Sequence, residues 1–400
     1  MRLVRKEKTK ADMLLALIEG RARSRVDLAH VTPVSAASVS RLVDELEDMG
    51  LLRDGERLPG KGIGRKARSL TVRPDLACAL GVDLDGSRMR AVVLDCANRT
   101  RGAVAEDLPA GLDGEQLVAR LLRLARQALR SARAPRKRLL GVGLSLPGPL
   151  DPQTGRSRAD LGIRDWAKVA PVERFATALR VPVVADLNAR CALVTELSRE
   201  AEEKGTALLA LARHGVGLGA SVGGELAGGA GGRAGEIGHT VIDPAGPACR
   251  CGHRGCMEAV AGGWALLARA RERGIRTDAI SALAERARAG DADVRDLFTE
   301  GARALGLALG NAANLYSPDR IYIRGIYAGL GGKVEAALRE GFERAAVAEI
   351  AAAAKLDANE TDEFTAAVGA AMRARRKHFV SFVWKNVLAP QWRPRGSRTA

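Results

Sequence analysis

Gly235-Glu-Ile-Gly-His239, then nine residues, then Cys249-Arg-Cys251-Gly-His-Arg-Gly-Cys256-Met-Glu258 is the most informative stretch of this 400-residue chain. The chain holds only six cysteines, too few for a secreted disulfide scaffold, yet three of them fall within eight positions. One imidazole, His239, and three thiolates, Cys249, Cys251 and Cys256, are four ligands of the kind that close a tetrahedral Zn²⁺ site. Such a zinc is structural, because four protein ligands leave no position open for water. His253, squeezed between Cys251 and Cys256, is the sterically poorer imidazole.

On either side of this knot, strands alternate with helices. Leu80–Asp95 reads as two strands joined by a tight turn at Asp85-Gly86-Ser87, and Gly141–Leu150 as a strand ending in a sharp loop. Val181–Asp186 is a short strand that presents a carboxylate at its end, and Gly114–Ala134 has helical periodicity. Ala207–Val222 repeats the theme of strand, glycine turn and strand. Two such halves predict a two-lobed α/β body with a cleft between them.

Before residue 79 the style is different. Residues 11–20 place apolar side chains on one helical face and stop at Gly20, and Arg25–Val31 is a second short helical pattern. A tight connection, Thr32-Pro33-Val34, leads to Ser35 in N-cap position ahead of a third helix. Val39, Leu42, Val43 and Leu46 share one face of it, while Ser35, Ala36, Ser38, Ser40 and Arg41 project from its start and opposite side. Small polar residues and one Arg near a helix N-terminus suit a recognition helix in the major groove of DNA, so the segment predicts a helix-turn-helix. Pro33 stands where such turns often carry a left-handed glycine, a conformation closed to proline, and the sequence leaves the turn's geometry open. Residues 51–72 then read as a strand, a glycine-rich basic loop and a returning strand. That is a wing, with Lys61, Arg65, Lys66 and Arg68 available to phosphates or a minor groove.

The residues at Gly215-Val-Gly-Leu-Gly219, Gly228–Gly232, Ala234–His239 and Cys249–Glu258 resemble the signature of the ROK family of repressors and sugar kinases. The helix-turn-helix, the wing and the Leu80-Gly-Val-Asp83 strand are similar to its repressor branch. The resemblance spans roughly residues 10–370. It implies a winged helix-turn-helix followed by a two-lobed actin-like, ribonuclease H-like fold. The expected divisions are 1–75 for the DNA-binding domain, 79–190 for lobe 1, 191–371 for lobe 2 with the zinc site, and 372–400 for a disordered basic tail. It further implies that Asp186, Glu236, His239 and Glu258 face a sugar's hydroxyls, Asp186 being the general base if the protein is a kinase. Carboxylates and an imidazole suit a polyol's many donors.

Two functions follow from the resemblance. A sugar-responsive regulator, most simply a repressor of carbohydrate genes, would bind a palindromic operator as a homodimer or tetramer and take a sugar or sugar phosphate as effector. An ATP-dependent sugar kinase that retains a DNA-binding domain is the alternative. The phosphate loops favour the first. Where kinases carry Asp-x-Gly-Gly-Thr, this chain reads Asp83-Leu84-Asp85-Gly86-Ser87, which sets an extra carboxylate against polyphosphate. His214 stands where a Thr is usual, and ATP is not expected as a cofactor.

Composition agrees. With 46% hydrophobic and 28% charged residues the chain can bury a core, and its apolar runs are far too short to span a membrane, so a cytoplasmic protein is expected. The net charge of +16 is concentrated at the ends: +5 in residues 1–75 and +8 in residues 371–400, leaving +3 on the body.

Overall fold

The computed structural model describes residues 2–58, 67–148, 150–151, 153–157, 163–200, 205–277 and 279–388. The N-terminal domain consists of α1 (Arg2–Ile18), α2 (Arg25–Val31), α3 (Ala36–Asp48) and an antiparallel hairpin of β1 (Leu52–Arg57) and β2 (Arg68–Val72). This is the arrangement of a winged helix. Ser35 caps α3 by accepting a bond from the Ser38 amide at 3.3 Å, and Val39, Leu42, Val43 and Leu46 are all buried, as their spacing predicts. The turn before α3 is built without a left-handed residue. Thr32 is extended (φ −117°, ψ 147°) and its hydroxyl donates to the Leu28 carbonyl, so Pro33 fits. Lys61, Arg65 and Lys66 lie outside the described residues.

Lobe 1 follows with β3 (Cys78–Leu84), β4 (Arg88–Asp95), β5 (Thr100–Asp107), α4 (Gly114–Ser131), β6 (Leu139–Leu146), α5 (Pro171–Leu179), β7 (Val183–Leu187) and α6 (Asn188–Arg199). Lobe 2 holds β8 (Ala207–Ala212), β9 (Val216–Val222), β10 (Glu225–Leu226), α7 (Glu258–Ala261), α8 (Gly263–Glu272), α9 (Ile280–Arg288) and α10 (Ala292–Tyr316). It continues through β11 (Arg320–Gly325), α11 (Gly332–Ala345), α12 (Ala348–Ala353) and β12 (Lys355–Asp357) before α13 (Thr365–Val383). The two sheets have the same order, β5-β4-β3-β6-β7 and β10-β9-β8-β11-β12. In each, the first three strands in sequence form an antiparallel meander and the last two add in parallel. The repeated topology is the two-lobed α/β body that the alternation of strands and helices predicted, and the actin-like fold that the resemblance implied.

Two expectations about the C-terminal part need correction. Lobe 2 does not run to residue 371, because α13 returns to lobe 1. It presses so closely on that sheet that a Cβ at Gly81 would overlap the Ala367 carbonyl, and one at Gly143 the Ala370 carbonyl. With α6 it forms the helical layer between the two sheets. Nor do residues 372–388 form a disordered tail. α13 continues to Val383 and is followed by a π-helical turn to Leu388. Phe379, Val383 and Leu388 are buried in one core with Met13, Leu14, Leu28, Val39 and Leu46 of the winged helix and with Val92 and Leu94 of lobe 1. Three of the basic residues that made this stretch look like a tail, Arg373, Arg375 and Arg376, have partners. Arg375 donates to the Asp95 carbonyl (3.2 Å) and Asn98 (2.6 Å), and Arg373 pairs with Asp186 at 2.5 Å. Residues 389–400 lie outside the described residues. Among the described residues, no helix is long and apolar enough to cross a membrane.

Candidate functional site

Between the lobes lies a cleft of about 320 Å³, at the lower end of the range of small-molecule sites. Lobe 1 supplies the β3–β4 turn, Pro147 and Gly148 after β6, and Leu187, Asn188 and Ala189 where β7 becomes α6. Lobe 2 supplies the β8–β9 turn at Arg213-His214-Gly215, Glu236, His239, Arg250, Glu258 and Trp264.

At the edge of this cleft the four zinc candidates converge. The ligand atoms of His239, Cys249, Cys251 and Cys256 all lie within 4.8 Å of one another, with Cys251 and Cys256 Sγ 3.6 Å apart and Cys249 Sγ 3.7 Å from His239 Nδ1. These are the spacings of the edges of a tetrahedron whose bonds are about 2.0–2.3 Å long. Gly255 (φ +71°) makes the sharp turn, where a Cβ would overlap the Asp243 carbonyl. Burial and the neighbouring thiols push Cys256 up to about 12, and burial also raises Cys249. Against burial, hydrogen bonds from the His253 backbone and ring and from its sister cysteines draw Cys251 down to about 6. Three thiols this close resist ionising together unless a cation lies among them, so the donor set fits Zn²⁺. The His253 ring lies 3.5 Å from Cys251 and is outside the four-residue cluster.

With Nδ1 directed at the cysteines, His239 turns Nε2 towards Glu236, 3.9 Å away, inside the cleft. Burial raises the pKa of Glu236, repulsion from Glu258 adds to this, and His239 opposes it. Glu258 is the first residue of α7, five positions before α8 begins. Its two oxygens accept from the Val216 amide (2.7 Å) and the Trp264 indole (3.0 Å), so it fixes both β9 and the ring over which Arg250 stacks at 4.7 Å. The structure therefore brings Glu236, His239 and Glu258 together as expected.

Asp186 is placed elsewhere. Successive residues of β7 face opposite sides of the sheet, and Asp186 faces the helical layer. There it is buried between Arg190 of α6, whose Nε donates at 2.6 Å, and Arg373 of α13. It does not line the cleft. The side chains that do so are the next two, Leu187 and Asn188, which sequence reasoning missed. The alternation of the strand was the signal that could have found Leu187, whereas Asn188 opens α6.

The β3–β4 turn also departs from a phosphate cradle. Asp85 Oδ1 accepts from the Ser87 amide, the Ser87 hydroxyl and the Arg88 amide, each at 2.8 Å, so the turn's own N–H groups are satisfied by its own carboxylate. Asp85 Oδ2 pairs with Arg90 at 2.8 Å and, across the cleft, with Arg213 at 3.4 Å. Arg213 also reaches Asp83 at 2.6 Å, and Asp83 accepts from Ser145 (2.6 Å) and Asn188 (2.9 Å). Burial alone would raise the pKa of Asp85, but Arg90 and Arg213 outweigh it and hold the carboxyl well below its ordinary range. This network ties the two lobes together at the β3–β4 and β8–β9 turns.

A two-lobed body with a repeated sheet, a polar cleft and a soft-ligand knot, preceded by a winged helix, defines a sugar-kinase-like scaffold joined to a DNA-binding fold. The chain belongs to the ROK family, whose sequence model matches residues 79–377. It is 26% identical to a xylose repressor of Caldicellulosiruptor bescii over 333 residues, covering 80% of this chain and 83% of that protein. In fold it resembles the crystal structure of a ROK family transcriptional regulator homologous to the Escherichia coli MLC protein. The TM-score is 0.73 at 21% identity, over 96% of this chain and 99% of that one. A ROK family glucokinase from Streptomyces griseus, solved with glucose and AMPPNP, is 25% identical with a TM-score of 0.66. It matches all of its own length to 75% of this chain.

Proposed function

We propose that this chain is a sugar-responsive DNA-binding transcriptional regulator, most simply a repressor of carbohydrate-metabolism genes acting in the cytoplasm. The observation that carries this reading is the continuous core in which the winged helix, the lobe 1 sheet and α13 share buried side chains. That core binds the DNA-binding fold physically to lobe 1, which forms one wall of the cleft. The likeness to a xylose repressor and, in fold, to a ROK regulator over nearly the whole chain supports it.

In this reading α3 enters the major groove with Ser35, Ala36, Ser38, Ser40 and Arg41 at its leading end. Lys61, Arg65 and Lys66 of the wing neutralise phosphates. Two copies form a homodimer, or a tetramer of such pairs, so that two recognition helices meet a palindromic operator. Zn²⁺, held by His239, Cys249, Cys251 and Cys256, braces the loop that carries Glu236, His239 and Glu258, and these with Asn188 receive the sugar or sugar phosphate. Asp186 holds the cleft floor to α13 through Arg373 and acts indirectly. Effector binding shifts the balance between lobe arrangements, and α13 conveys the shift to the winged helix.

The kinase alternative is disfavoured by two features: the self-satisfied β3–β4 turn, and the pairing of Asp186, the carboxylate at the β7–α6 junction, with Arg190 and Arg373 in the helical layer rather than towards the cleft where a general base would be needed. Gel-shift titration against the protein's own upstream DNA tests the proposal. Sequence-specific binding that one or more sugars alter is expected, and no specific shift with or without sugars would sink it.

A further inference from the structure

Residues 116–150 carry eight Arg and Lys and no Asp or Glu. The body between residues 76 and 370, +3 in all, is net −5 without them, so positive charge is gathered on one part of lobe 1. Much of it lies on α4. Leu117, Leu121, Leu124, Ala125 and Ala128 turn inward, and Arg123, Arg126 and Arg130 form an exposed stripe on the opposite side, which Arg133 extends past the helix end to about 15 Å. Like charges at these spacings repel and weaken a helix, an effect that the dipole offsets only at the C-terminal end. The carboxylates nearby are already engaged. Glu106 of β5 holds Arg120 (3.1 Å) and Arg123 (3.3 Å), and Asp107 pairs with Arg88 at 3.2 Å. Among the described residues, Arg126, Arg130, Arg133 and Lys137 have no ion pair and no side-chain hydrogen bond. The stripe leads to the root of the DNA-binding domain. A crevice at its end is lined by Arg101, Arg133 and Arg138 together with Pro74 and Asp75, which link the winged helix to β3. Asp75 is held by Arg138 at 2.6 Å, and the Pro74 carbonyl accepts from the Cys96 amide at 2.9 Å, so stripe and linker are joined.

Four uncommitted cations in succession suit a partner whose negative charges repeat. A protein partner needs an apolar anchor at the centre of its contact, and among the described residues none of the exposed large apolar side chains lies on α4 or β5. The backbone of a DNA duplex needs only the cations. We propose that the α4 stripe is a second DNA contact, in which Arg126, Arg130, Arg133 and Lys137 hold phosphates of the duplex flanking the operator while the winged helix reads the operator itself. This rests on the reading of the chain as a DNA-binding regulator and adds a surface outside the winged helix. The contact carries no sequence information. It lengthens the footprint and steepens the salt dependence, each neutralised phosphate adding about 0.9 to the slope of log affinity against log salt. Three arginines acting in this way make the advantage of a flanked operator fall roughly fortyfold between about 50 and 200 mM salt.

The test is fluorescence anisotropy of the intact, zinc-replete protein on two duplexes, with excess non-specific competitor, between about 50 and 200 mM salt. One duplex ends at the operator boundaries found by footprinting, and the other is extended on each side by about one and a half helical turns of unrelated sequence. Wild type is expected to bind the extended duplex about tenfold more tightly at the lowest salt, with a steeper slope. The triple variant Arg126→Gln, Arg130→Gln, Arg133→Gln should lose that advantage and keep wild-type affinity for the short duplex, and the triple change to Glu should make the flanks unfavourable. Should the triple variants melt lower than wild type, Arg126→Gln alone must still reduce the slope on the extended duplex by about 0.9. A wild type indifferent to flank length, an advantage that survives in the variants, or an equal loss on both duplexes overturns the inference. If no duplex is bound specifically, the regulator reading falls and the inference with it. If the short duplex is bound specifically and the flanks add nothing, the inference alone fails.

Discussion

Replacing Phe379 by alanine is expected to weaken operator binding although the residue lies far along the chain from the recognition helix. Phe379 is fully buried in α13, in the core it shares with α1, α3 and the lobe 1 sheet. Truncating a buried phenylalanine costs about 3–5 kcal/mol, since transfer energy is lost and a cavity remains. The winged helix and the structure packed on it amount to about a hundred residues. For a body of that size each kcal/mol lowers Tm by roughly 4–8 °C, so the first calorimetric transition should fall by about 12 °C or more. Operator affinity, measured by fluorescence anisotropy at one fixed salt concentration because phosphate contacts make it salt-dependent, should fall with it. Sugar affinity should change little, because Phe379 does not line the cleft. Leu315→Ala, at a side chain 83% exposed on α10, is the control and should stay within about 0.5 kcal/mol of wild type. A Phe379→Ala protein with wild-type melting and wild-type operator affinity would refute the claim that α13 braces the DNA-binding domain.

Arg213→Ala removes the cross-cleft partner of Asp83 and Asp85. It should destabilise the protein by about 1.5–3 kcal/mol in urea denaturation, the cost of lost charge-assisted hydrogen bonds, since Arg90 still pairs with both carboxylates. It should also raise hydrogen exchange at the β3–β4 and β8–β9 turns, and unchanged exchange there would argue against a latch. Because Asp85 is held below its ordinary pKa, its stabilisation is fully present above about pH 4 and is lost only as pH falls through the lower folded value. The deficit of Asp85→Asn should therefore be the same at pH 7 and pH 5, and a deficit that shrinks over that interval contradicts the ion-pair account. Metal analysis of purified protein should find about one zinc per chain. Cys251→Ser should lose that zinc and the effector response before it loses operator binding, and the reverse order would contradict a zinc that serves the cleft. Finally, a coupled ADP-release assay over a panel of hexoses should stay at background, and turnover would revive the kinase reading.

The elements with strong local signals were legible in the sequence. The Cys–His spacing gives the metal cluster, alternation and glycine turns give the two sheets, and the buried face of Val39, Leu42, Val43 and Leu46 gives the third helix. Asp186 was misplaced because a carboxylate at a strand end attracts a functional role. The strand's two-residue period decides instead which neighbour faces the cleft, and it selects Leu187. The C-terminal helix was hidden by composition. Arg373, Arg375, Arg376 and Lys377 look like a solvated basic run, although Ala367, Ala371, Phe379 and Val383 mark a helical face at four-residue spacing. What the sequence could not show was where the charges go. Asp186, the Asp95 carbonyl and Asn98 are remote in the chain and adjacent only after folding.

That α13 completes the core of the winged helix has a consequence for how the protein is made. Residues 2–72 leave the ribosome first and residues 365–388 nearly three hundred positions later, an interval of roughly 15–60 s at ordinary rates of synthesis. Throughout it the inner face of α1 waits without one of its walls. Each nascent copy therefore carries every lining side chain of its cleft before it carries a finished DNA-binding core. A stop codon or frameshift between 365 and 388 would strike operator recognition from the opposite end of the reading frame.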